Sequence, residues 1–212
     1  MKMLLLLTLS LNVFAQDGFI FFSKGDVFIN GKKSLKDSQI KYNDKITTGN
    51  TALAIISLKP ATKIKLKANS SLVIKKPRVT KSTKLFSFVL SAGEAFIKAT
   101  RTRKNRYNVR TKHAVMGVRG TQFFVSTSPK KDSKDWMCVN EGQVEVKVND
   151  TKGFVLVNAG EGVAISKEQL PKVKQYKWTK ALNWSLDGNY EEVKDNTDIQ
   201  NMNYTLENIE YE

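Results

Sequence analysis

Between residues 16 and 166, short runs of strand-forming residues recur about every ten residues, and helix signals are nearly absent. In the run "TKIKLK", apolar and basic residues alternate with a period of two, which places Ile64 and Leu66 on one strand face and the lysines on the other. Gly, Asn, Asp and Ser separate the runs and suit tight turns. Evenly spaced short strands without crossover helices predict an all-β fold, which is a sandwich, a barrel or a solenoid.

Three segments repeat one pattern, in which an apolar residue and two small or polar residues precede a glycine and an alternating strand. They are "LSAGEAFIKA", "VNEGQVEVKV" and "VNAGEGVAIS". Their glycines, Gly93, Gly142 and Gly160, are predicted to lie where the chain turns a corner between strands. The repeat favours a solenoid among the all-β folds.

The first fifteen residues have the pattern of an export signal. Lys2 supplies the positive start, an apolar run follows, and Val13 and Ala15 are the small residues before a predicted cleavage between Ala15 and Gln16. The apolar run is shorter than the roughly 20 residues that span a bilayer. We therefore expect a periplasmic or secreted mature protein without a transmembrane span. A short buried core helix is the alternative interpretation of this segment.

Charge is unevenly distributed along the chain, whose formal net charge is +15. Residues 16–184 contain thirty-three Lys or Arg and twelve Asp or Glu, whereas residues 185–212 contain one Lys and eight acids. For an exported protein, this balance predicts no nucleic acid partner but contact with an envelope protein, an anionic polysaccharide or lipid headgroups. The candidate anion-binding surface consists of Arg101, Arg103, Lys104, Arg106 and Arg110.

Motifs for catalysis and metal binding are missing from the sequence. Cys138 is the single cysteine, so it forms no internal disulfide, and its apolar context "WMCVN" predicts a small buried side chain. A nucleophilic Cys138 is the alternative, but no motif surrounds the single histidine, His113. There is also no glycine-rich phosphate loop and no Cys/His cluster. We therefore predict a protein that is not an enzyme and has no cofactor or metal.

The segment "AVMGVRGTQFFV" interrupts a strand pattern and resumes it at once. Gly117 and Gly120 are predicted to allow a positive φ or a close backbone approach at a corner, which the Thr121 hydroxyl closes by a bond to the backbone. In the resumed strand, Phe124 is predicted to lie on the opposite face from Phe123.

Arg119 is the one charged residue in that segment. A half-buried guanidinium requires a carboxylate or carbonyl partner, and Glu141 is the predicted carboxylate because Glu141 and Gly142 form a corner of the same kind. These corner residues are predicted to be structural, and a catalytic corner is the alternative.

From residue 167 the pattern changes. Residues 167–186 carry a loose apolar stripe behind Pro171 and predict an amphipathic helix that packs on its own domain, although its lysines would also fit a membrane surface. Residues 187–212 are acidic without a clear apolar period, which predicts a disordered tail. We expect this tail to compete weakly for the basic surface; a tail that serves solubility alone is the alternative.

The strand motifs, in this order, resemble the FecR domain family. The resemblance covers roughly residues 20–166 and rests on "NDKITTGNTALAIISL" (43–58), "LSAGEAFI" (90–97), "YNVRTKHAVMGVRGTQFFV" (107–125), "VNEGQVEV" (139–146) and "VLVNAGEGVAI" (155–165). It implies an extracytoplasmic module similar to a twisted β-solenoid, which in the best-known members is the periplasmic part of an anti-sigma regulator. Those members carry a cytoplasmic helical domain and a transmembrane helix where this chain has its predicted signal. The anti-sigma activity is therefore not carried over.

The sequence thus predicts a signal peptide at 1–15, a FecR-like β domain at 16–166, an amphipathic helix at 167–186 and an acidic tail at 187–212. The expected function is that of a non-enzymatic binding module of the bacterial cell envelope, which binds a protein and acts in envelope signalling. A peptidoglycan- or polysaccharide-binding protein is the alternative, because basic residues are concentrated between Lys98 and Arg110.

Overall fold

The computed structural model describes residues 17–197 and Ile199, so the predicted signal peptide lies outside the described residues. The described fold is all-β, as predicted, with one 3-10 helix (Lys177–Lys180) and one short α-helix, α1 (Tyr190–Val193). The strands are β1 (Gly18–Lys24), β2 (Val27–Ile29), β3 (Lys32–Lys33), β4 (Gln39–Ile40), β5 (Lys45–Thr48), β6 (Leu53–Leu58), β7 (Thr62–Leu66), β8 (Ser71–Val79), β9 (Lys84–Ala99), β10 (Asn105–Arg110), β11 (Ala114–Val118), β12 (Thr121–Thr127), β13 (Asp135–Glu141), β14 (Gln143–Val148), β15 (Val155–Asn158) and β16 (Gly162–Ile165).

The strands form two layers that are joined through β9, because the two halves of this long strand pair in different layers. Layer one has the order β4, β1, β6, β7, second half of β9, β12, β13 and β16. Layer two has the order β3, β2, β5, β8, first half of β9, β10, β11, β14 and β15. All these neighbours are antiparallel except β9 and β10. The sheet is open and folds back on itself, which agrees with the predicted solenoid-like or sandwich-like class.

Glycines occupy the corners at which the chain passes between the layers. Gly93, Gly142 and Gly160 have φ values of +84°, +82° and +85°, so the three corners predicted from the repeat are confirmed. At Gly93, which lies inside β9, an added Cβ would be only 2.4 Å from the Cα of Ser70. Glycine is therefore required at that corner for space as well as for conformation.

The main core lies between the layers, and a second apolar cluster lies on the outer face of layer one. Phe123 and Val125 of β12 belong to the main core, whereas Phe124 points to the outer cluster, as predicted. All seven residues of β12 are buried, because both faces of this strand are covered.

The C-terminal segment covers the outer face of layer one, and we call its residues 172–197 the strap. Trp178, Leu182 and Leu186 of the strap pack in the outer cluster, and Val193 packs against β6. The outer cluster consists of Phe96, Phe124, Trp136, Cys138, Trp178, Leu182, Leu186 and Ile199.

The strap corrects two predictions about the C-terminal region. Residues 167–186 contain the 3-10 helix Lys177–Lys180 and are otherwise non-helical, so the predicted amphipathic helix is wrong. Residues 187–197 are placed against layer one rather than disordered; residue 198 and the rest of the predicted tail, from residue 200, lie outside the described residues. The physical reason is tertiary packing, because Trp178, Leu182 and Leu186 bury their side chains in the outer cluster, and tertiary contacts override a weak helix propensity.

No helix within the described residues is long and apolar enough to cross a membrane.

Candidate functional site

The outer face of layer two carries a groove of about 960 Å³. Strand register places the outward residues of its floor side by side: Asn108 on β10, Gly117 on β11, Glu145 on β14 and Leu156 on β15. Gly117 has no side chain and Asn108 is only 7% exposed, so these two positions project little above the surface of the sheet. The groove therefore runs across the strands rather than along them.

Cationic side chains form both walls of the groove. In one wall, Arg106 directly precedes Tyr107 of β10, and Arg119 directly follows Val118, the β11 residue that pairs with Tyr107. In the other wall, Arg110 and Lys147 flank Val115 from the two neighbouring strands. Residues two apart on a strand are separated by roughly 7 Å. Long side chains from both walls therefore reach an anionic group that lies above the floor.

Arg119 is exposed and lies among other cations rather than beside the predicted carboxylate. The neighbouring Arg106 guanidinium, followed by partial desolvation and by Arg101, holds the pKa of Arg119 below its ordinary value. Glu141 instead lies 3.7 Å from the Nζ atom of Lys98. The predicted pair of Arg119 and Glu141 is wrong. Arg119 follows β11 on the outer face of layer two, whereas Glu141 is the last residue of β13 in layer one.

The candidate anion-binding surface is only partly assembled by the fold. Arg106 and Arg110 line the groove, and Arg101 lies beside it. Arg103 and Lys104 are exposed in the turn before β10 and do not line the groove.

Two groove cations, Arg119 and Lys147, were not part of the predicted surface. The alternation of "QVEVKV" marks Lys147 as an outward residue of β14. Lys147 comes close to the arginines of β10 only because β11 pairs with β10 on one side and with β14 on the other.

The predicted corner is present at Gly120 and Gly142, whose φ values are +68° and +82°. An added Cβ at Gly120 would lie 2.4 Å from the Cβ of Arg101, and one at Gly142 would lie 2.7 Å from the Gly120 carbonyl oxygen. Thr121 differs from the prediction, since its hydroxyl is buried and bonds to none of the described residues. The two corners fit into each other, and glycine is required at both.

Gly117 is not part of this corner. It lies inside β11, and an added Cβ would meet only Glu145, at ordinary contact distances of 3.8 Å from its Cβ and 3.9 Å from its carbonyl oxygen. Its φ lies outside the left-handed region, so the predicted conformational role is wrong. Its structural effect is to leave the groove floor open.

A second group of charged residues lies under the strap, on the outer face of β7. Lys65 is 0% exposed, and its Nζ donates to the carbonyl oxygens of Asn183 (2.6 Å), Ser185 (2.9 Å) and Val193 (3.0 Å). Burial lowers the pKa of Lys65 to about 8, although the negative charge of Asp195 favours the protonated form and partly offsets this effect. The alternation of this strand placed Lys65 on the face opposite Ile64 and Leu66, and the strap buries Lys65 on that face.

Lys67, two residues further along, lies between two carboxylates. Its Nζ is 2.7 Å from Glu94 Oε2 and 2.9 Å from Asp195 Oδ1. Burial alone lowers the pKa of Lys67, but the two carboxylates outweigh burial, and the pKa is raised. Asp195 of the strap thus pairs with Lys67, directly after β7, on the opposite side of the molecule from the groove.

Cys138 and His113 lie in different buried environments. Cys138 is fully buried in the outer cluster, as its apolar context predicts, and burial raises the pKa of its thiol well above the ordinary value. His113 Nδ1 is 3.3 Å from Asp135 Oδ2 without hydrogen-bond geometry, and the Thr127 hydroxyl donates to Asp135 Oδ1 at 2.6 Å. Among residues 17–197 and Ile199, no three His, Cys, Asp or Glu side chains are grouped so that they could hold a metal.

Known proteins share this architecture. Two crystal structures of a candidate anti-sigma factor from Parabacteroides distasonis align with a TM-score of 0.52 each, at 21% and 19% identity. The alignments cover 65% of this chain and 63% and 62% of the other, so the chain spans less than two thirds of those proteins. No curated protein matches the chain. Residues 44–145 match the sequence model of the family described as FecR protein. The resemblance indicated by the order of the motifs is therefore confirmed for residues 44–145, which match a FecR domain.

Proposed function

We propose that this protein is an interaction module of the bacterial cell envelope, which binds another protein in envelope signalling and carries out no chemistry itself. The FecR domain supports a regulatory role, and the fold is shared with a candidate anti-sigma factor. One observation carries the proposal: layer one is covered on both faces, by the core and by the strap, whereas no segment within residues 17–197 covers the outer face of layer two.

The open face has the properties of a protein-binding surface. Besides the groove, it presents Phe154 and Leu156, which are 52% and 44% exposed. Leu156 lies on β15, which pairs only with β14 among the described strands, so one edge of β15 is open to a further strand. Exposed apolar side chains beside a strand edge are typical of protein docking sites.

Site-specific photo-crosslinking tests this proposal. A photoreactive amino acid replaces Val115 on the open face, and a matched control replaces Lys180, which is exposed on the strap side. We expect the Val115 position to crosslink one envelope protein that the Lys180 position does not. Crosslinks at Val115 that contain only polysaccharide would contradict the proposal and favour the peptidoglycan or polysaccharide alternative.

We also propose that the protein acts outside the cytoplasm, because residues 1–15 have the pattern of an export signal. Intact-mass measurement of protein from a cell-envelope fraction tests this. We expect a chain that begins at Gln16 or within a residue or two of it. A chain that retains Met1 in a membrane fraction would contradict the cleavage.

A further inference from the structure

We propose that the groove of layer two binds a carboxylate from an extended acidic segment of the partner protein, seated above Gly117 and surrounded by Arg106, Arg110, Arg119 and Lys147. This inference rests on the proposed function and specifies the chemistry of the partner at that site.

The first argument is the uncompensated charge of the groove walls. Arg106 and Arg119 line the same groove, and the like charge of Arg106 disfavours the charged form of Arg119. Within residues 17–197, no carboxylate forms an ion pair with Arg106, Arg110 or Arg119. A carboxylate from outside the chain would relieve the repulsion, and a guanidinium fork binds it with two parallel hydrogen bonds.

The second argument is an unsatisfied polar group in the groove floor. Asn108 is 7% exposed, and its Oδ1 atom is buried without a hydrogen-bond partner among the described residues. A buried polar atom without a partner costs free energy in the unbound protein. Asn108 lines the groove, and its side-chain NH₂ group is a donor of the kind that a bound carboxylate accepts.

The third argument concerns room above the floor. Gly117 is paired with Asn108 on one side and Glu145 on the other, and its missing side chain opens the space between the two walls. No backbone requirement explains this glycine, since an added Cβ would make only an ordinary contact. The space lies where side chains from both walls converge.

The remaining groove residues favour a protein segment over a uniform polyanion. Glu145 shares the floor row with Gly117, so a continuous run of negative charge would meet a carboxylate of the groove. Leu85 at one end of the groove and Leu156 at the other are apolar. An extended peptide satisfies both features, with one carboxylate at the cations and apolar residues at the ends.

Binding of a capped peptide tests the proposal by fluorescence anisotropy with the full-length protein. The probe has glutamates separated by serines and a leucine at each end, and its glutamine counterpart is the matched peptide control. We expect the glutamine peptide to bind about tenfold more weakly than the glutamate peptide. We also expect about tenfold weaker binding of the glutamate peptide by Arg106→Gln/Arg119→Gln and by Gly117→Val.

Two features of the variants separate groove binding from loss of folding or of net charge. Gly117 lies in a strand without a positive φ, so valine is compatible with its backbone, and the melting temperature should stay near that of the wild type. Lys59→Gln/Lys180→Gln removes the same charge from exposed positions away from the groove and should leave affinity within about twofold.

Equal binding of the glutamate peptide by the wild type, Arg106→Gln/Arg119→Gln and Gly117→Val would overturn the proposal. It would also be overturned if phosphatidylglycerol vesicles, but not the peptide, lost binding in those variants. A protein crosslink at Val115 without selective binding of the glutamate peptide would support the proposed function. It would overturn only the proposal that the partner's binding segment is acidic.

Discussion

At the scale of single residues, two neighbouring glycines have opposite structural roles. Gly120 has a φ of +68° and contacts Arg101, whereas Gly117 lies in a regular strand beside an open groove. The same substitution at the two positions therefore separates a conformational requirement from a requirement for space.

We expect Gly120→Val to destabilise the protein by about 1–3 kcal/mol through backbone strain, before the collision with Arg101 is counted. Urea unfolding measures this loss. Gly117→Val is the matched control and should change stability by no more than about 0.5 kcal/mol. If the two variants had the same unfolding midpoint, the corner would not require a left-handed residue.

The buried Lys65 makes the stability of the protein depend on pH. Its pKa is about 8 in the folded protein and has an ordinary value of 10.5, so the unfolded chain binds the proton more tightly. Stability should therefore rise as pH increases between these two values. Relative to Lys65→Met, the wild type should gain roughly 1–3 kcal/mol across this window, as measured by urea unfolding at several pH values. Parallel pH profiles of the two proteins would show that Lys65 titrates normally.

At the scale of structural elements, the strap is held by charges that point into the sheet. Asp195, whose side chain is 1% exposed, pairs with Lys67 and accepts the backbone N–H of Asn183 at 2.5 Å. Lys65 binds three strap carbonyls from below. The strap thus packs on the sheet mainly through tertiary contacts, and its helices are limited to the 3-10 helix Lys177–Lys180 and α1.

Asp195→Asn should loosen the strap, because Lys67 then retains only Glu94 as a carboxylate partner. We expect a loss of about 2 kcal/mol, less than for a buried charge left without any partner. Faster trypsin cleavage after the strap lysines and a lower urea midpoint measure the effect. Asp187→Asn is the control, since the exposed Asp187 pairs with Lys63 at the surface and should contribute less than about 1 kcal/mol. Equal cleavage rates for the two variants would contradict a role for the buried pair.

At the scale of the whole molecule, strap and sandwich share apolar contacts and should unfold together. Trp136 of β13 and Trp178 of the strap lie with ring centroids 6.3 Å apart, so tryptophan fluorescence reports on their interface. We expect the fluorescence and far-ultraviolet circular dichroism transitions to coincide in urea. A fluorescence change that preceded the loss of β-structure would instead show that the strap detaches first.

The strands, the corners at Gly93, Gly142 and Gly160 and the FecR family were all accessible from the sequence. These features depend on short-range rules: side chains alternate along a strand, and glycine tolerates a positive φ. For the same reason the opposite orientations of Phe123 and Phe124 were predictable. Each of these signals is complete within a few consecutive residues.

The groove and the strap were decided by the tertiary structure, because each joins segments that are distant in the chain. The sequence predicted Glu141 as the partner of Arg119, but the fold places Arg119 near Arg106 in the groove. Lys65 belongs to an alternating pattern that places it on the face opposite Ile64 and Leu66, and a segment more than a hundred residues later buries it. A local pattern specifies which face a side chain occupies, but the partner that covers that face depends on long-range packing, which outweighs local propensity.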